Sequence, residues 1–554
     1  VRRRRRHRMS VPDAPCLGIQ APDTAVPVVL STINARYQHA SLGLRYLYAN
    51  AGDLQSKMTI VELVSGSPTE ELAARILAHR PRIIGFGVYI WNVVETTALV
   101  RYIRTAAPEV TLVLGGPEVS HETARQDICA LADHVIQGPG DISFARLVRS
   151  LLYGPKPLMR IIAGEQPDLS GLALPYRYYT DTDLRERTLY VEASRGCPFK
   201  CEFCLSSLDK TAWAFPLEAF LEEMNGLHRR GARRFKFVDR TFNLKAATSR
   251  AIMAFFLERI EATPADPCFV HFELVPDHLP DSLKEQIARF PPGTLQFEIG
   301  IQTFEPRVQA LISRRQDNQQ AEVNLRWLRD HSEAHLHVDL IAGLPAETLE
   351  TFGRGFDRLA ALRPHEIQVG ILKRLRGAPI ARHEREHGLR FSAKPPYEVL
   401  STATMGATEL ADIRLLARFL DLVVNSGRMP RLAALVLADR PFERMLRLSR
   451  DLFEQFGRSH AIGLEALFDA VLSWLERRHR DAGSTGPADL QAQALADYRE
   501  CGAQGKLSFM ARGLALAPSA RVITARHGDD GATPQRQSRH RQAARIDTSG
   551  AGVL

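Results

Sequence analysis

The sequence predicts two consecutive α/β units followed by an all-helical region. Three observations predict this. Between residues 26 and 153, apolar strand-like runs alternate with helix-period stretches, five of each. From 187 to 397 the alternation repeats through six strand–helix units, and from 398 to 515 only helical periodicity remains. At 554 residues the chain is long enough for two to four domains with full hydrophobic cores.

In the first unit, strands are expected at 26–31, 58–63, 82–89, 110–114 and 134–137, with helices at 41–51, 69–79, 93–106 and 142–152 among them. This alternation means a parallel sheet covered on both faces. The size suits a flavodoxin-like doubly wound domain over 26–153, which binds its ligand at the carboxyl ends of the strands. Glycines gather there: Gly85 and Gly87, Gly115-Gly116-Pro117-Glu118, and Gly138-Pro139-Gly140-Asp141. Gly lets a backbone approach a bulky ligand closely. Neither a GxGxxG for a dinucleotide nor a GxxxxGKS for phosphates is present. Residues 154–186, with several Pro and polar residues, read as a linker.

The second unit, 187–397, has expected strands at 188–194, 233–238, 268–274, 294–301, 335–341 and 366–372. Chemistry in barrels belongs at the C-terminal strand ends, where Asp239, Glu273, Glu298, Gln302 and Asp339 lie. After the sixth strand, the basic stretch Lys373-Arg374-Leu375-Arg376 could grip a carboxylate or phosphate, or simply close the barrel. Residues 398–515 form an accessory helical domain, with helices over 409–424 and 432–456 and no cluster of ligand-type residues. The tails, 1–25 and 516–554, read as disordered on composition.

The most informative run is Cys197-Pro198-Phe199-Lys200-Cys201-Glu202-Phe203-Cys204, which opens a loop directly after a strand. Closely spaced thiolates hold iron–sulfur clusters, and most 4Fe–4S clusters use four. Three here would leave one iron without a protein ligand, open for chemistry. A structural zinc site is the alternative, and tetrahedral zinc needs a fourth ligand. Between 183 and 227 no other Cys or His occurs.

This loop resembles the cluster loop of the radical S-adenosylmethionine (SAM) enzymes, including the aromatic Phe203 before the last cysteine. The resemblance implies that Cys197, Cys201 and Cys204 hold a 4Fe–4S cluster whose open iron chelates the amino and carboxylate groups of SAM. Reductive cleavage then gives methionine and a 5′-deoxyadenosyl radical. The segment Glu298-Ile299-Gly300-Ile301-Gln302 is similar to the E-x-G-x-Q segment of coproporphyrinogen dehydrogenases and methylthiotransferases. Asp339-Leu340-Ile341-Ala342-Gly343-Leu344-Pro345 is similar to their D-x-I-x-G-L-P segment. Asp239 stands where the family binds the SAM amino group, without the usual Gly-Gly-Glu. The resemblance therefore implies a partial (β/α)6 barrel with SAM contacts from Phe203, Asp239, Glu273, Glu298, Gln302 and Asp339.

In this company the first unit resembles the cobalamin-binding domain of cobalamin-dependent radical SAM enzymes. The run Asn34-Ala35-Arg36-Tyr37-Gln38-His39-Ala40-Ser41-Leu42-Gly43 is similar to a subgroup of them. The resemblance implies that Gly115, Gly116, Glu118, Gly138 and Gly140 face the corrin. The D-x-H-x-x-G signature is missing: His39 lies in the corresponding loop without an Asp two residues before it. It reads as a hydrogen-bonded loop histidine, and the lower cobalt ligand stays open.

As a whole the resemblance implies an enzyme that uses a 4Fe–4S cluster, SAM and cobalamin to modify, by methylation, an unactivated carbon of a small-molecule substrate. A flavodoxin or ferredoxin would be the reductant. No residue is singled out as catalytic. One alternative is an anaerobic cyclase- or dehydrogenase-like reaction on a tetrapyrrole, of the magnesium-protoporphyrin monomethyl ester cyclase type. Another is a non-catalytic cobalamin or cluster sensor or carrier. A methylthiotransferase fits less well, because its second cluster needs three N-terminal cysteines and residues 1–150 offer Cys16 and Cys129.

Seven cysteines, three of them in one loop, do not make an extracellular disulfide framework. No apolar run approaches the roughly 20 residues of a membrane span, and the N-terminus lacks an apolar signal region, so a cytoplasmic protein is expected. The formal charge of +9 sits in the tails: +6 in residues 1–8 and +3 in 521–554. The body is neutral, which argues against nucleic-acid binding. The leading Val places a candidate translation start at Met9.

Overall fold

The computed structural model describes residues 25–209, 211–481, 487–512 and 536–540. Two compact units divide the chain: residues up to 36 with 46–166, and 37–45 with 167 onward.

The first unit is built on a six-stranded sheet: β1 (Val28–Asn34), β2 (Met58–Val64), β3 (Ile83–Gly87), β4 (Thr111–Gly115), β5 (His134–Gln137) and β6 (Ile161–Ala163). Their order is β2-β1-β3-β4-β5-β6, every pair parallel. Every residue of β1 is buried, as both faces of a central parallel strand must be. The helices are α1 (Leu42–Ala49), whose first four residues count with the second unit, α2 (Thr69–Leu77), α3 (Val93–Ala106), α4 (Asp127–Leu131) and α5 (Ser143–Tyr153). In α5, Phe144, Leu147, Val148 and Leu151 recur at helical spacing and are all buried. The doubly wound fold is the one expected. The sixth strand lies inside the stretch read as a linker, since three residues with two exposed are too few to show strand alternation.

That stretch is also better tied down than a linker. Tyr176 and Tyr179 are buried, and the Tyr176 hydroxyl donates to the Glu192 carbonyl and accepts from its N–H, at 3.0 and 3.1 Å.

The second unit carries β7 (Leu189–Val191), a small antiparallel pair β8 (Ser194–Arg195) and β9 (Trp213–Ala214), then β10 (Arg234–Phe237), β11 (Phe269–Leu274), β12 (Leu295–Gln302), β13 (His335–Ala342) and β14 (Glu366–Ile371). The sheet order β14-β13-β12-β11-β10-β7 follows the chain, parallel throughout, as a partial six-stranded barrel requires. Its helices are α6 (Asp181–Glu186), α7 (Leu217–Arg229), α8 (Ala246–Ala262), α9 (Asp281–Ile287), α10 (Pro306–Leu311), α11 (Asn318–His331) and α12 (Leu349–Ala360). Phe235, Phe237, Phe256, Phe272 and Phe297 are fully buried between strands and helices. Each contributes on the order of 1.5–3 kcal/mol.

A second antiparallel pair, β15 (Arg390–Phe391) and β16 (Val399–Ser401), leads into α13 (Ala407–Leu420), a π-helical turn (Asp421–Asn425), α14 (Pro430–Leu437), α15 (Pro441–Phe456), α16 (Leu464–Asp481) and α17 (Pro487–Glu500). The helix expected over 432–456 is broken at Arg440, which is left-handed (φ 43°) and followed by Pro441 at the start of α15. A proline belongs in a helix's first turn and not in its interior. Residues 536–540, expected to be disordered, form a helical turn. Arg536 bonds Glu366 and Asp421, each at 2.7 Å, and His540 bonds the Asn425 carbonyl at 3.0 Å.

Candidate active site

The cysteine loop runs between β8 and β9. Gly196 opens it at φ +89°, and a Cβ there would run into the Thr211 carbonyl, so the turn requires glycine. Glu202 holds the middle. Its buried carboxylate accepts from Ser313 Oγ (2.6 Å), His383 Nε2 (2.8 Å) and Arg382. Its N–H donates to the Ile312 carbonyl and its carbonyl accepts from the Ile380 N–H. The residue directly after the second cysteine thus ties the loop to segments after β12 and after β14.

Cys197, Cys201, Phe203 and Cys204 line one cavity of about 240 Å³ together with Glu273, Glu298, Gln302 and Asp339. Burial pushes the Cys197 and Cys201 thiols up; the Arg314 guanidinium, whose Nη1 donates to Cys201 Sγ at 3.7 Å, opposes this at Cys201, and the Phe199 backbone and Arg240 oppose it at Cys197. No three His, Cys, Asp or Glu side chains among the described residues, these cysteines included, close around a single ion. Three soft sulfur donors of one loop, sharing a wall with acceptor carboxylates, fit a thiolate-held cluster with an open iron and a polar ligand beside it.

Each strand-end carboxylate has its own environment. Burial alone would raise Glu298, but His271 (3.3 Å) and Lys236 (3.2 Å) hold it well below the usual range. Burial raises Glu273, which the Arg240 guanidinium faces at 3.1 Å. Burial raises Asp339 as well. Its Oδ1 faces His337 Nε2 at 3.4 Å, which opposes the rise, but makes no aligned hydrogen bond among the described residues. A buried carboxylate oxygen in a cavity wall that makes no hydrogen bond of its own has room to accept one from a ligand donor.

Gln302 sits at a bulge where the β12–β13 register shifts, with φ +68°. A non-glycine residue in this region costs about 1–3 kcal/mol, and such strain clusters at functional sites.

Asp239 departs from expectation. It does not line the cavity. It is 3% exposed and accepts from the Ala193 N–H (3.0 Å) and Ser194 Oγ (2.5 Å), joining the ends of β10 and β7. Burial pushes it up to about 7. Its neighbours Arg240 and Thr241 form the wall instead. Arg240 and Arg314 are the residues that sequence reasoning passed over. Arg240 directly follows Asp239 and Arg314 lies twelve residues after Gln302, and a search for carboxylates did not look for cations.

In the first unit, Gly115 and Gly138 have open space at the Cβ position: the nearest atom to Gly115 is a carbonyl oxygen at 4.0 Å, and Gly138 meets nothing within 4 Å. A flat ligand could approach both. Gly116 (φ +108°) instead packs on its own fold, since a Cβ there would lie 2.5 Å from the Val88 carbonyl oxygen. Glu118 is buried, and a Gly140 Cβ would touch Leu47 at 3.2 Å. Tyr89 and Trp91, missed in the sequence, stack at 4.4 Å just beyond β3 with Trp91 exposed, an apolar platform at the same strand ends. His39, in the second unit, bonds the Tyr190 hydroxyl through Nδ1 at 2.5 Å.

Comparison with known proteins agrees with this architecture. Residues 28–148 match the model of the B12 binding domain, 191–359 that of the radical SAM superfamily, and 385–490 a protein family of unknown function, DUF4080. An uncharacterized methyltransferase, PH0819, of Pyrococcus horikoshii is 26% identical over 56% of this chain and 70% of its own length. The cobalamin-dependent radical SAM methyltransferase TokK of Streptomyces tokunonensis is 25% identical over 63% of this chain; the chain spans about half of that relative, 54%. Among solved structures, the cobalamin-dependent SAM radical enzyme OxsB with aqua-cobalamin bound shares the fold at a TM-score of 0.58, with 13% identity, covering 86% of this chain and 84% of OxsB. The radical SAM methyltransferase TsrM of Kitasatospora setae does so at 0.54, with 17% identity, over 67% and 80%.

With three thiolates on a barrel-end cavity and a doubly wound sheet before it in sequence, the chain carries a B12 binding domain followed by a radical SAM domain, the domain pair of cobalamin-binding radical SAM proteins, and its cofactors are a 4Fe–4S cluster, SAM and cobalamin.

Proposed function

We propose that the protein is a cobalamin-dependent radical SAM methyltransferase that methylates an unactivated carbon of a small-molecule substrate. The observation that carries this reading is the convergence of Cys197, Cys201 and Cys204 with Glu298, Gln302 and Asp339 on one cavity. The names borne by TokK and PH0819 support it. When bound, the cofactors supply radical generation and a transferable methyl group.

The chain's own residues supply the rest. Cys197, Cys201 and Cys204 are the cluster ligands, and Glu202 holds their loop in place. Glu298, kept ionised by Lys236 and His271, accepts from cationic or hydroxyl groups of SAM. Asp339 offers the oxygen that faces His337 to a second donor, and Gln302 presents its amide to the same cavity. Glu273 pairs with Arg240 and leaves that guanidinium available to a carboxylate. Gly115 and Gly138 give a corrin close approach, and Tyr89 and Trp91 supply apolar surface to it.

Among the described residues no helix is long and apolar enough to cross a membrane. We place the enzyme in the cytoplasm, reduced by a flavodoxin or ferredoxin. The test uses anaerobically reconstituted protein, labelled SAM and extract of the native host. A methyltransferase releases S-adenosylhomocysteine beside 5′-deoxyadenosine and labels a product. 5′-Deoxyadenosine alone would favour a cyclase-type reaction on a tetrapyrrole. Neither nucleoside, from protein with an intact cluster, would overturn the enzyme reading.

A further inference from the structure

The barrel sheet ends at β14, and its free edge is only partly covered. At Ile367 the edge is completed by a side chain: the Ile367 N–H donates to Asn425 Oδ1 (3.0 Å), and its carbonyl accepts from Asn425 Nδ2 (2.9 Å). One amide on the π-helical turn thus pairs the edge as a residue of a further strand would. Alternate residues of a strand turn their backbone groups to the same side, so Val369 presents its N–H and carbonyl on this edge too. Among the described residues nothing takes either group.

The edge opens onto a cavity of about 480 Å³ that β14 lines along its whole length. Gln368 and Lys373 are exposed within it; Gln368 pairs through its backbone with Asp339 of β13, and Lys373 stands opposite Glu398 in an isolated antiparallel bridge, but neither side chain has a hydrogen-bond or ion-pair partner among the described residues. The opposite wall carries Arg414, which Glu398 pairs at 2.9 Å, and Arg536, held by Glu366 and Asp421. Glu398, although opposite Lys373, is engaged by Arg414, so the Lys373 ammonium is a cation of this cavity with no ion pair among the described residues.

We propose that this edge is a binding site for a short extended polypeptide segment, which adds to β14 in the register that Asn425 begins. An unpaired strand edge is a template for another strand, and strand addition gains its affinity from main-chain bonds and its selectivity from alternate side chains. An extended residue fills roughly 3.4 × 4.8 × 10 Å, about 160 Å³, so the cavity holds about three. The carbonyl and N–H of Val369 would bond the segment's backbone, and Lys373 would select an acidic side chain or terminal carboxylate. The site is independent of the proposed methyl transfer, because binding is read without turnover.

The probe is a fluorescein-labelled hexapeptide, Val-Thr-Val-Glu-Val-Thr, titrated into the reconstituted full chain and followed by anisotropy. Saturable binding is expected. N-methylation of the amides on the bonding side should weaken it about tenfold, and methylation of the alternate amides should not. Replacing the peptide's Glu by Lys should also weaken binding about tenfold, and Lys373→Glu should reverse that preference. Amide exchange in 366–371 should slow with the acidic peptide bound. Absence of saturable binding at millimolar peptide, or binding indifferent to both methylation and Lys373→Glu, would overturn the proposal. Iron content of Lys373→Glu should equal that of the wild type.

Discussion

The Gln302 side-chain amide occupies the space that a side chain on Gly300 would fill. The glycine of the Glu298-x-Gly300-x-Gln302 segment is needed less for its backbone than for the room it leaves. The bulge between these residues then turns the amide toward the cavity. Gly300→Ala should displace Gln302, with an overpacking cost of about 1–3 kcal/mol. SAM affinity, measured by equilibrium dialysis, should fall several-fold while the iron-to-protein ratio is unchanged. Unaltered SAM affinity would show that Gln302 is not a ligand contact.

Glu202 is the strongest single fastening of the cysteine loop. It is 3% exposed and meets Ser313, Arg382 and His383. Removing one member of a buried charged network typically costs about 3–5 kcal/mol. Glu202→Ala should therefore retain less iron after reconstitution and melt lower, although it touches no iron itself. His383→Ala should do the same more weakly. Full iron retention in Glu202→Ala would mean the cysteines alone hold the loop.

Glu347 provides a pH signature. Its side chain is fully buried beside Thr303, whose hydroxyl donates to Oε1 at 2.8 Å, and burial pushes the carboxyl up to about 8 from 4.5. A folded-state pKa above the unfolded one means the native state binds more protons across this window. Stability is then greatest below about 4.5 and is lost as pH rises through 8. The slope is on the order of 1.4 kcal/mol per pH unit within the window. Asp239, raised to about 7, adds in the same direction over the lower part. Urea midpoints of the apo protein should fall between pH 5 and 8, and Glu347→Gln should flatten the upper part of that fall. A midpoint that rises with pH would contradict this.

How much of this was legible in the sequence depends on whether a residue's role is local. Five of the six barrel strands were readable within a residue or two, and the first ended three residues early, at Val191; buried parallel strands appear as short apolar runs bounded by turn signals. The cysteine loop was readable from spacing alone. Asp239 was not: a carboxylate at a strand end looks the same whether it faces a cavity or caps Ala193 and Ser194, and only packing decides. Glu202, Asn425 and Arg536 were invisible for a related reason. Their partners lie 181, 58 and 170 residues away, and polar residues in loops and tails carry no periodicity to betray such contacts.

The turn at 536–540 departs from the expectation that the whole C-terminal tail is disordered. Arg536 bridges Glu366 of β14 and Asp421 of the π-helical turn, and the His540 ring lies 5.3 Å from that of His335. Glu366 keeps His335 as a partner at 2.9 Å, so loss of the turn should weaken the fold without destroying it. Deleting residues 525–554 should lower the melting temperature by several degrees while leaving cluster assembly intact. Arg536→Ala should reproduce part of the loss. An unchanged melting temperature in both would show that the turn contributes nothing.

Two adjacent glycines separate folding from cofactor access in the first unit. Gly115 ends β4 with open space where a side chain would project. Gly115→Leu should leave far-ultraviolet circular dichroism and melting close to wild type and block hydroxocobalamin binding. At Gly116 even a methyl group would sit against the Val88 carbonyl oxygen, and its φ of +108° disfavours any side chain. Gly116→Ala should therefore cost about 1–3 kcal/mol of stability and lose cobalamin only as the fold is lost. Equilibrium dialysis of hydroxocobalamin, run beside thermal melts of both variants, distinguishes them. If Gly115→Leu binds as well as the wild type, the corrin does not approach at β4, and the platform of Tyr89 and Trp91 beyond β3 becomes the surface to substitute next.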